Sequence, residues 1–218
     1  MATEVTNPPA NAAADHFAVF GLPRQLALDL KVLEQEFYRL SRKLHPDVFA
    51  RAPQAEQERA LEQSSRLNDA YRTLRDPIER TKHLLSLEGV KLEEQSAGAT
   101  EQARTSGQQK KQVVPPELLE EVFELNMQLE EARTAKKSGA RDEAVDVARE
   151  LEQHKQNFEA KLAALEAELK SYWAEWDAGV GAGDESKKAS AKTKMTDLLN
   201  RRSYIRNLVR DVNEVLES

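Results

Sequence analysis

No cysteine occurs among the 218 residues. Disulfides, thiolate zinc sites and cysteine-ligated clusters are therefore excluded as parts of this chain. Aromatic residues make up only 6% and there are eight glycines, against 32% charged residues. That balance suits long solvated helices and not a sheet sandwich. No run of about 18 apolar residues exists, so no membrane-spanning segment is expected. Positive charge is in deficit, the net value being −6, which makes nucleic acid a poor partner. The first residues, MATEVTNPPANAAADHF, hold no arginine and no apolar core. They read as neither a secretory signal nor a mitochondrial presequence, and a cytoplasmic location is the expectation. There is no glycine-rich phosphate loop and no nucleophile elbow. His16, His83 and His154 are scattered without metal-ligand spacing. Neither an enzyme nor a bound metal or cofactor is expected.

What the chain does have is amphipathic stripes. Leu33, Phe37, Leu40 and Leu44 recur at helical spacing, with Arg39, Arg42 and Lys43 off the stripe. Asp29 is placed to cap this helix. Pro46 disfavours helical backbone at His45 and cannot continue the hydrogen-bond ladder, so the helix must end there. His45-Pro46-Asp47 then forms a ring, a rigid kink and a carboxylate beside a basic face. A second helix returns from about Gln54 to Leu74, with Leu61, Ser64, Leu67, Ala70, Tyr71 and Leu74 as its inward stripe. Asp76-Pro77 breaks it, and a short helix over 78–87 follows.

At these residues the chain resembles the J-domain of DnaJ-type co-chaperones, whose hairpin tip carries His-Pro-Asp. The flanks sharpen the match. Phe17-Ala18-Val19-Phe20-Gly21-Leu22-Pro23 precedes the hairpin, Leu67-Asn68-Asp69-Ala70-Tyr71-Arg72-Thr73-Leu74-Arg75-Asp76-Pro77 ends it, and His83-Leu84-Leu85 follows. All three are similar to the HscB-type, iron–sulfur branch of that family, and the resemblance extends over nearly the whole chain. It implies that His45, Pro46 and Asp47, with Arg42, Lys43 and Arg39, meet a DnaK-type (HscA-like) chaperone and stimulate its ATPase. Asp47 is an acceptor-only group that can pair with an arginine of such a partner.

Residues 1–13 read as unstructured and 14–90 as the J-domain. The stretch 91–114 is polar and reads as a flexible linker. Residues 115–218 read as an antiparallel bundle of three helices, making the fold all-α. Pro115-Pro116 opens the first of these helices. The second covers roughly Asp142–Trp176 and the third roughly Ala191–Leu216. Between them Gly179-Val180-Gly181-Ala182-Gly183 is expected to be a loop.

The first of these helices carries two stripes about 100° apart. Leu118, Val122, Leu125 and Leu129 make one; Leu119, Phe123 and Met127 make the other. A small bundle needs one. The second is either a binding surface rimmed by acids or a further packing face. Resemblance to the HscB type implies a surface for the iron–sulfur scaffold protein (IscU-like), formed by Leu119, Phe123, Glu124, Met127 and Glu131, with Tyr204 as an added aromatic. Glu120 and Met127 depart from the family's pattern. The function implied is a co-chaperone delivering the scaffold to its chaperone. A general J-domain protein for other clients and a helical structural adaptor are the alternatives.

Overall fold

The computed structural model describes residues 15–90, 92, 114–138 and 141–217, with side chains omitted over 141–144. The expected unstructured start, 1–13, and most of the expected linker, 91–114, lie outside the described residues. Among the described residues there is no strand. No described helix is long and apolar enough to cross a membrane. The chain divides into two compact units, Met1–Leu92 with Ser171–Thr196, and Glu93–Lys170 with Asp197–Ser218.

In the first unit, helix α1 (His16–Val19) is capped by Asp15, whose carboxylate accepts from the amides of Phe17 and Ala18. Helix α2 (Leu30–Leu44) starts as its sequence dictates: Asp29 accepts from Lys31 and Val32 at 2.8 and 3.3 Å. After a 3-10 turn over Pro46–Phe49 the chain returns in α3 (Gln54–Arg75). Asp76 closes the corner by capping α4 (Pro77–Leu87), with Pro77 in the first helical position. The helices α2 and α3 meet through Leu33, Leu67, Ala70 and Leu74, all buried, and through stacked rings of Phe37 and Tyr71 at 4.2 Å. One member of the expected α3 stripe is misplaced. Leu61 is exposed, and Ala60 takes the buried position. The seven-residue step from Ala60 to Leu67 keeps one face, whereas Leu61 falls about 100° away from it.

The compact unit reaches beyond the expected 14–90 limits, because it also takes in Ser171–Thr196. This segment joins the ends of two long helices, α6 (Arg141–Ala182) and α7 (Glu185–Glu217). The expected glycine loop is a correction. Gly179 and Gly181 are helical, and only Gly183, at φ 64°, leaves the helical region and ends α6. Each helical glycine costs about 1 kcal/mol in propensity. At Gly179 a reason is visible: a Cβ there would stand 2.9 Å from Lys188 Cγ and 3.1 Å from the Lys188 amide. A side chain at this position would require Lys188 to move away.

In the second unit, a 3-10 turn at Pro116–Leu118 leads into α5 (Leu119–Ser138). Polar contacts fix the direction of its neighbours. Glu121 pairs with Lys161 at 2.9 Å and Gln128 donates to Glu150 at 2.9 Å, so α5 and α6 run antiparallel. Arg201 pairs with Glu168 and Arg202 with Glu166, at 3.2 and 3.7 Å, which makes α6 and α7 antiparallel too. Leu118, Val122, Leu125 and Leu129 are buried, as are Leu151, Phe158, Leu165 and Leu169 of α6 and Leu198, Ile205 and Val212 of α7. The three-helix arrangement expected from the periodicity is what forms, with the second and third helices longer than expected.

Candidate docking surfaces

The tip of the α2–α3 hairpin is built by one proline. At His45 the backbone is extended, φ −62° and ψ 133°, the conformation a following proline imposes. His45 therefore both ends α2 and starts the 3-10 turn. Its carbonyl accepts from Val48 N at 2.9 Å, and its Nδ1 accepts from the Asp47 amide at 3.3 Å. Nδ1 also lies 3.4 Å from Asp47 Oδ2. These two contacts need different tautomers, since the first uses the Nδ1 lone pair and the second a proton on it. The Asp47 side chain is 88% exposed. Its remaining acceptor positions face solvent, so an incoming donor meets a carboxylate that is already desolvated on no side.

Behind the tip the three basic residues of α2 are not equivalent. Arg39 is held by Glu36 at 2.7 Å, a neighbour one turn back on the same helix. Arg42 folds its Nε onto the Tyr38 carbonyl at 3.3 Å. Arg42 and Lys43 are both exposed and lie one turn or less from His45. The structure thus puts His45, Pro46, Asp47, Arg42 and Lys43 together at one exposed end, and Arg39 farther back with part of its charge answered.

The base of the same unit has features that periodicity did not show. His16 and His83 stack at 4.2 Å, and the His83 Nε2 accepts from the His16 amide at 3.0 Å. Burial, with a lesser contribution from His16, holds His83 down to about 4, while Asp15 acts the other way. Its neutral ring is what the hydrogen bond requires. Burial likewise lowers the Arg80 guanidinium below its ordinary value. Arg80 is 3% exposed and donates to the carbonyls of Leu74, at 2.7 Å, and of Leu26, and lies over the Trp173 ring at 5.1 Å.

The strap preceding α2 is gripped from the 171–196 end. Asp177 accepts from the amides of Leu26 and Ala27, both at 2.8 Å. Trp176 Nε1 donates to the Arg24 carbonyl at 3.0 Å, and Trp173 Nε1 donates to Thr81 Oγ1 at 2.9 Å. A signal for this existed in the sequence: the chain's only two tryptophans stand within four residues of each other, directly before Asp177.

In the second unit the two stripes of α5 part company. Leu118, Val122, Leu125 and Leu129 are at most 6% exposed. Leu119, Phe123 and Met127 are 55, 67 and 60% exposed. Glu120, Glu124 and Glu131 are exposed along the same helix, while Glu121 is tied to Lys161. Tyr204 departs from the expectation. It is 7% exposed, and burial raises its hydroxyl above the ordinary value. Its helix faces two neighbours at once, so the ridge Tyr204, Leu208, Val215 is covered as well as the ridge Leu198, Ile205, Val212. An exposed aromatic from α7 is therefore not available at that position.

Comparison with known proteins agrees with this arrangement. Residues 15–83 match the family model described as the DnaJ domain. Over 204 residues, 94% of either chain, the sequence is 32% identical to the co-chaperone protein HscB homolog of Azoarcus sp. (strain BH72). It is 34% identical over 150 residues to the HscB homolog of Paraburkholderia phymatum, covering 69% of this chain and 76% of that one. Among solved structures it is similar to the chaperone HscB from Vibrio cholerae, with a TM-score of 0.53 and 26% identity, covering 92% of this chain and 98% of the other. With a J-domain hairpin ending in His45-Pro46-Asp47, an all-helical remainder and relatives that match it nearly end to end, the chain belongs to the HscB-type family, the iron–sulfur branch of the J-domain co-chaperones.

Proposed function

We propose that the chain links two proteins: a DnaK-type (HscA-like) chaperone, met by the tip of the α2–α3 hairpin, and an iron–sulfur scaffold protein (IscU-like), met by the exposed stripe of α5. The observation that carries this reading is the pairing of an exposed, proline-stiffened carboxylate with a separate exposed apolar stripe in one chain. Asp47 would pair with an arginine of the chaperone's ATPase domain, and Arg42 and Lys43 would add attraction to an acidic surface. Pro46 and the short turn limit the tip's freedom before binding, which reduces the entropy lost on docking. Leu119, Phe123 and Met127 supply apolar anchors, and Glu124 and Glu131 an acidic rim. Tyr204, being buried, is left out of the surface.

On this reading the chain does no chemistry of its own. It raises the concentration of scaffold at the chaperone and promotes ATP hydrolysis there, in the cytoplasm. The exposed apolar stripe favours the scaffold-specific role over a general J-domain protein, and the tip disfavours a bare helical adaptor, which has no use for it. The test is ATP turnover by a purified DnaK-type chaperone with this chain added, then with scaffold protein added as well. Stimulation by the chain, increased further by scaffold, is the expected result. No stimulation in either mixture would refute the proposal.

A further inference from the structure

The segment Arg24–Ala27 ends two residues before Asp29, the residue that caps the start of α2. It is bonded from two sides. Asp177 takes both the Leu26 and the Ala27 amides at 2.8 Å, and Trp176 donates to the Arg24 carbonyl at 3.0 Å. From the other side Arg80 donates to the Leu26 carbonyl. Leu26 itself is 0% exposed. A carboxylate accepting two backbone amides is a strong arrangement, because charge-assisted bonds to main chain outweigh neutral ones. Nothing in the helical periodicity of α6 demands an aspartate at position 177. Propensity gives no reason for it either, as Asp is a poor interior helix residue. Its hydrogen bonds are to the strap, and its charge also acts on the Arg80 guanidinium that holds the Leu26 carbonyl from the other side.

From these contacts we infer that Asp177, with Trp176, is a positioning residue for chaperone docking: it fixes the strap from which α2 starts, and so the direction in which α2 carries Arg42, Lys43 and His45-Pro46-Asp47. The Ser171–Thr196 end is then a working part of the docking module, and the family-model match at 15–83 covers only part of it. A rigid start matters because α2 is fifteen residues long. At about 1.5 Å per residue, a small change of angle at Leu30 displaces the tip by several ångströms. Freed from Asp177, the strap samples more conformations, and docking must order it again. The contact surface itself is unaltered, so the loss falls on affinity and not on the stimulated rate.

The inference rests on the chaperone-docking reading, and one titration separates the two. A DnaK-type chaperone is titrated with the full chain while ATP turnover is followed, and hydrogen exchange of the Leu26 and Ala27 amides is measured alongside. If the unaltered chain gives no stimulation, the docking reading fails and this inference with it. Given stimulation, Asp177→Ala is expected to raise the half-maximal concentration about five- to tenfold, the scale set by re-ordering a few residues, with the saturating rate kept. Exchange at Leu26 and Ala27 should quicken. Asp177→Asn retains an acceptor oxygen and should fall between. Should Asp177→Ala lower the melting temperature, Trp176→Phe is a second variant that keeps an apolar ring. It loses the indole donor and some ring volume at a buried site, so its melting temperature is recorded with it. This variant is expected to shift the half-maximal concentration the same way, about two- to threefold, as a single neutral hydrogen bond warrants. An unchanged half-maximal concentration with quickened exchange overturns the inference, because the strap would then be free without effect on docking. A drop confined to the saturating rate overturns it too.

Discussion

The hairpin tip and the exposed stripe of α5 are both solvent-exposed surfaces, yet they are made in opposite ways. The tip is irregular backbone: a proline forces α2 to stop, and the side chains it exposes include a ring, a carboxylate and two cations. The stripe is uninterrupted helix, and its side chains are a leucine, a phenylalanine and a methionine. At the tip, geometry comes from the main chain and, on the proposed reading, the docking energy from charge. On α5, geometry comes from the helical repeat and the energy from apolar area. The first kind of surface is sensitive to salt and to single functional groups. The second is sensitive to side-chain volume and nearly blind to salt.

The largest effect expected follows from the tip. Asp47→Asn removes the charge and one strong acceptor while leaving an 88% exposed position otherwise unchanged. Chaperone ATPase stimulation should vanish, and the melting temperature should stay within the shift that about 0.5 kcal/mol gives. Stimulation at the original level would separate the carboxylate from docking.

The stripes of α5 provide the next contrast. Leu119→Ala with Phe123→Ala should weaken scaffold binding by about 2–4 kcal/mol, as the loss of apolar anchors does, without lowering the melting temperature. Leu125→Ala, two positions on and fully buried, should do the reverse: about 2–5 kcal/mol of stability lost. Calorimetry of both variants with the scaffold protein checks the pair. A stability loss for the Leu119/Phe123 double variant equal to that of Leu125→Ala would show that the second stripe is packed.

Acid should act on the stability of the first unit at its base. Burial, with a lesser contribution from His16, holds the His83 value in the fold down to about 4, against an ordinary 6.5. A histidine with a depressed value binds more protons unfolded than folded, so stability is fully present above about 6.5 and falls as pH drops from there to about 4. After allowance for screening at a partly exposed ring, the loss is about 2 kcal/mol. Urea titrations between pH 7 and 4 should show it, and His83→Gln should reduce it, leaving the smaller part due to His16, which burial also lowers. A slope unchanged by His83→Gln would place the titration elsewhere.

The smallest effect belongs to the basic face. Arg42→Glu with Lys43→Glu should slow association with the chaperone about tenfold at low salt, and the defect should shrink as salt is added. A salt-independent defect would mean that these residues act through shape.

How much of this was legible in the sequence depended on how local the cause was. The end of α2, the Asp29 and Asp76 caps and the separation of the two α5 stripes follow from proline chemistry, capping and the 3.6-residue repeat. Each acts within a turn or two. Gly179 was misread because local propensity says loop, and what outweighs it is the approach of Lys188 from another helix. Leu61 was misread by one position on a helix whose inward residues include small ones, Ala60 and Ala70, that leave a faint stripe. Tyr204 lies next to Ile205 on a helix covered from two sides, and one stripe underestimates what such a helix buries. The hold of Asp177 on Leu26 and Ala27 spans about 150 positions of chain. No periodicity carries that distance; the paired tryptophans beside it were the one local sign.

The central claim is that one chain uses two independent surfaces for two partners. Its most direct measurement is chaperone ATP turnover and scaffold binding recorded on the same three proteins: the unaltered chain, Asp47→Asn, and Leu119→Ala with Phe123→Ala. The expected result is a clean exchange. Asp47→Asn loses stimulation and keeps scaffold affinity, while the α5 variant loses scaffold affinity and keeps the stimulation seen without scaffold. If either variant loses both activities while remaining folded, the two surfaces are one site and the account is wrong.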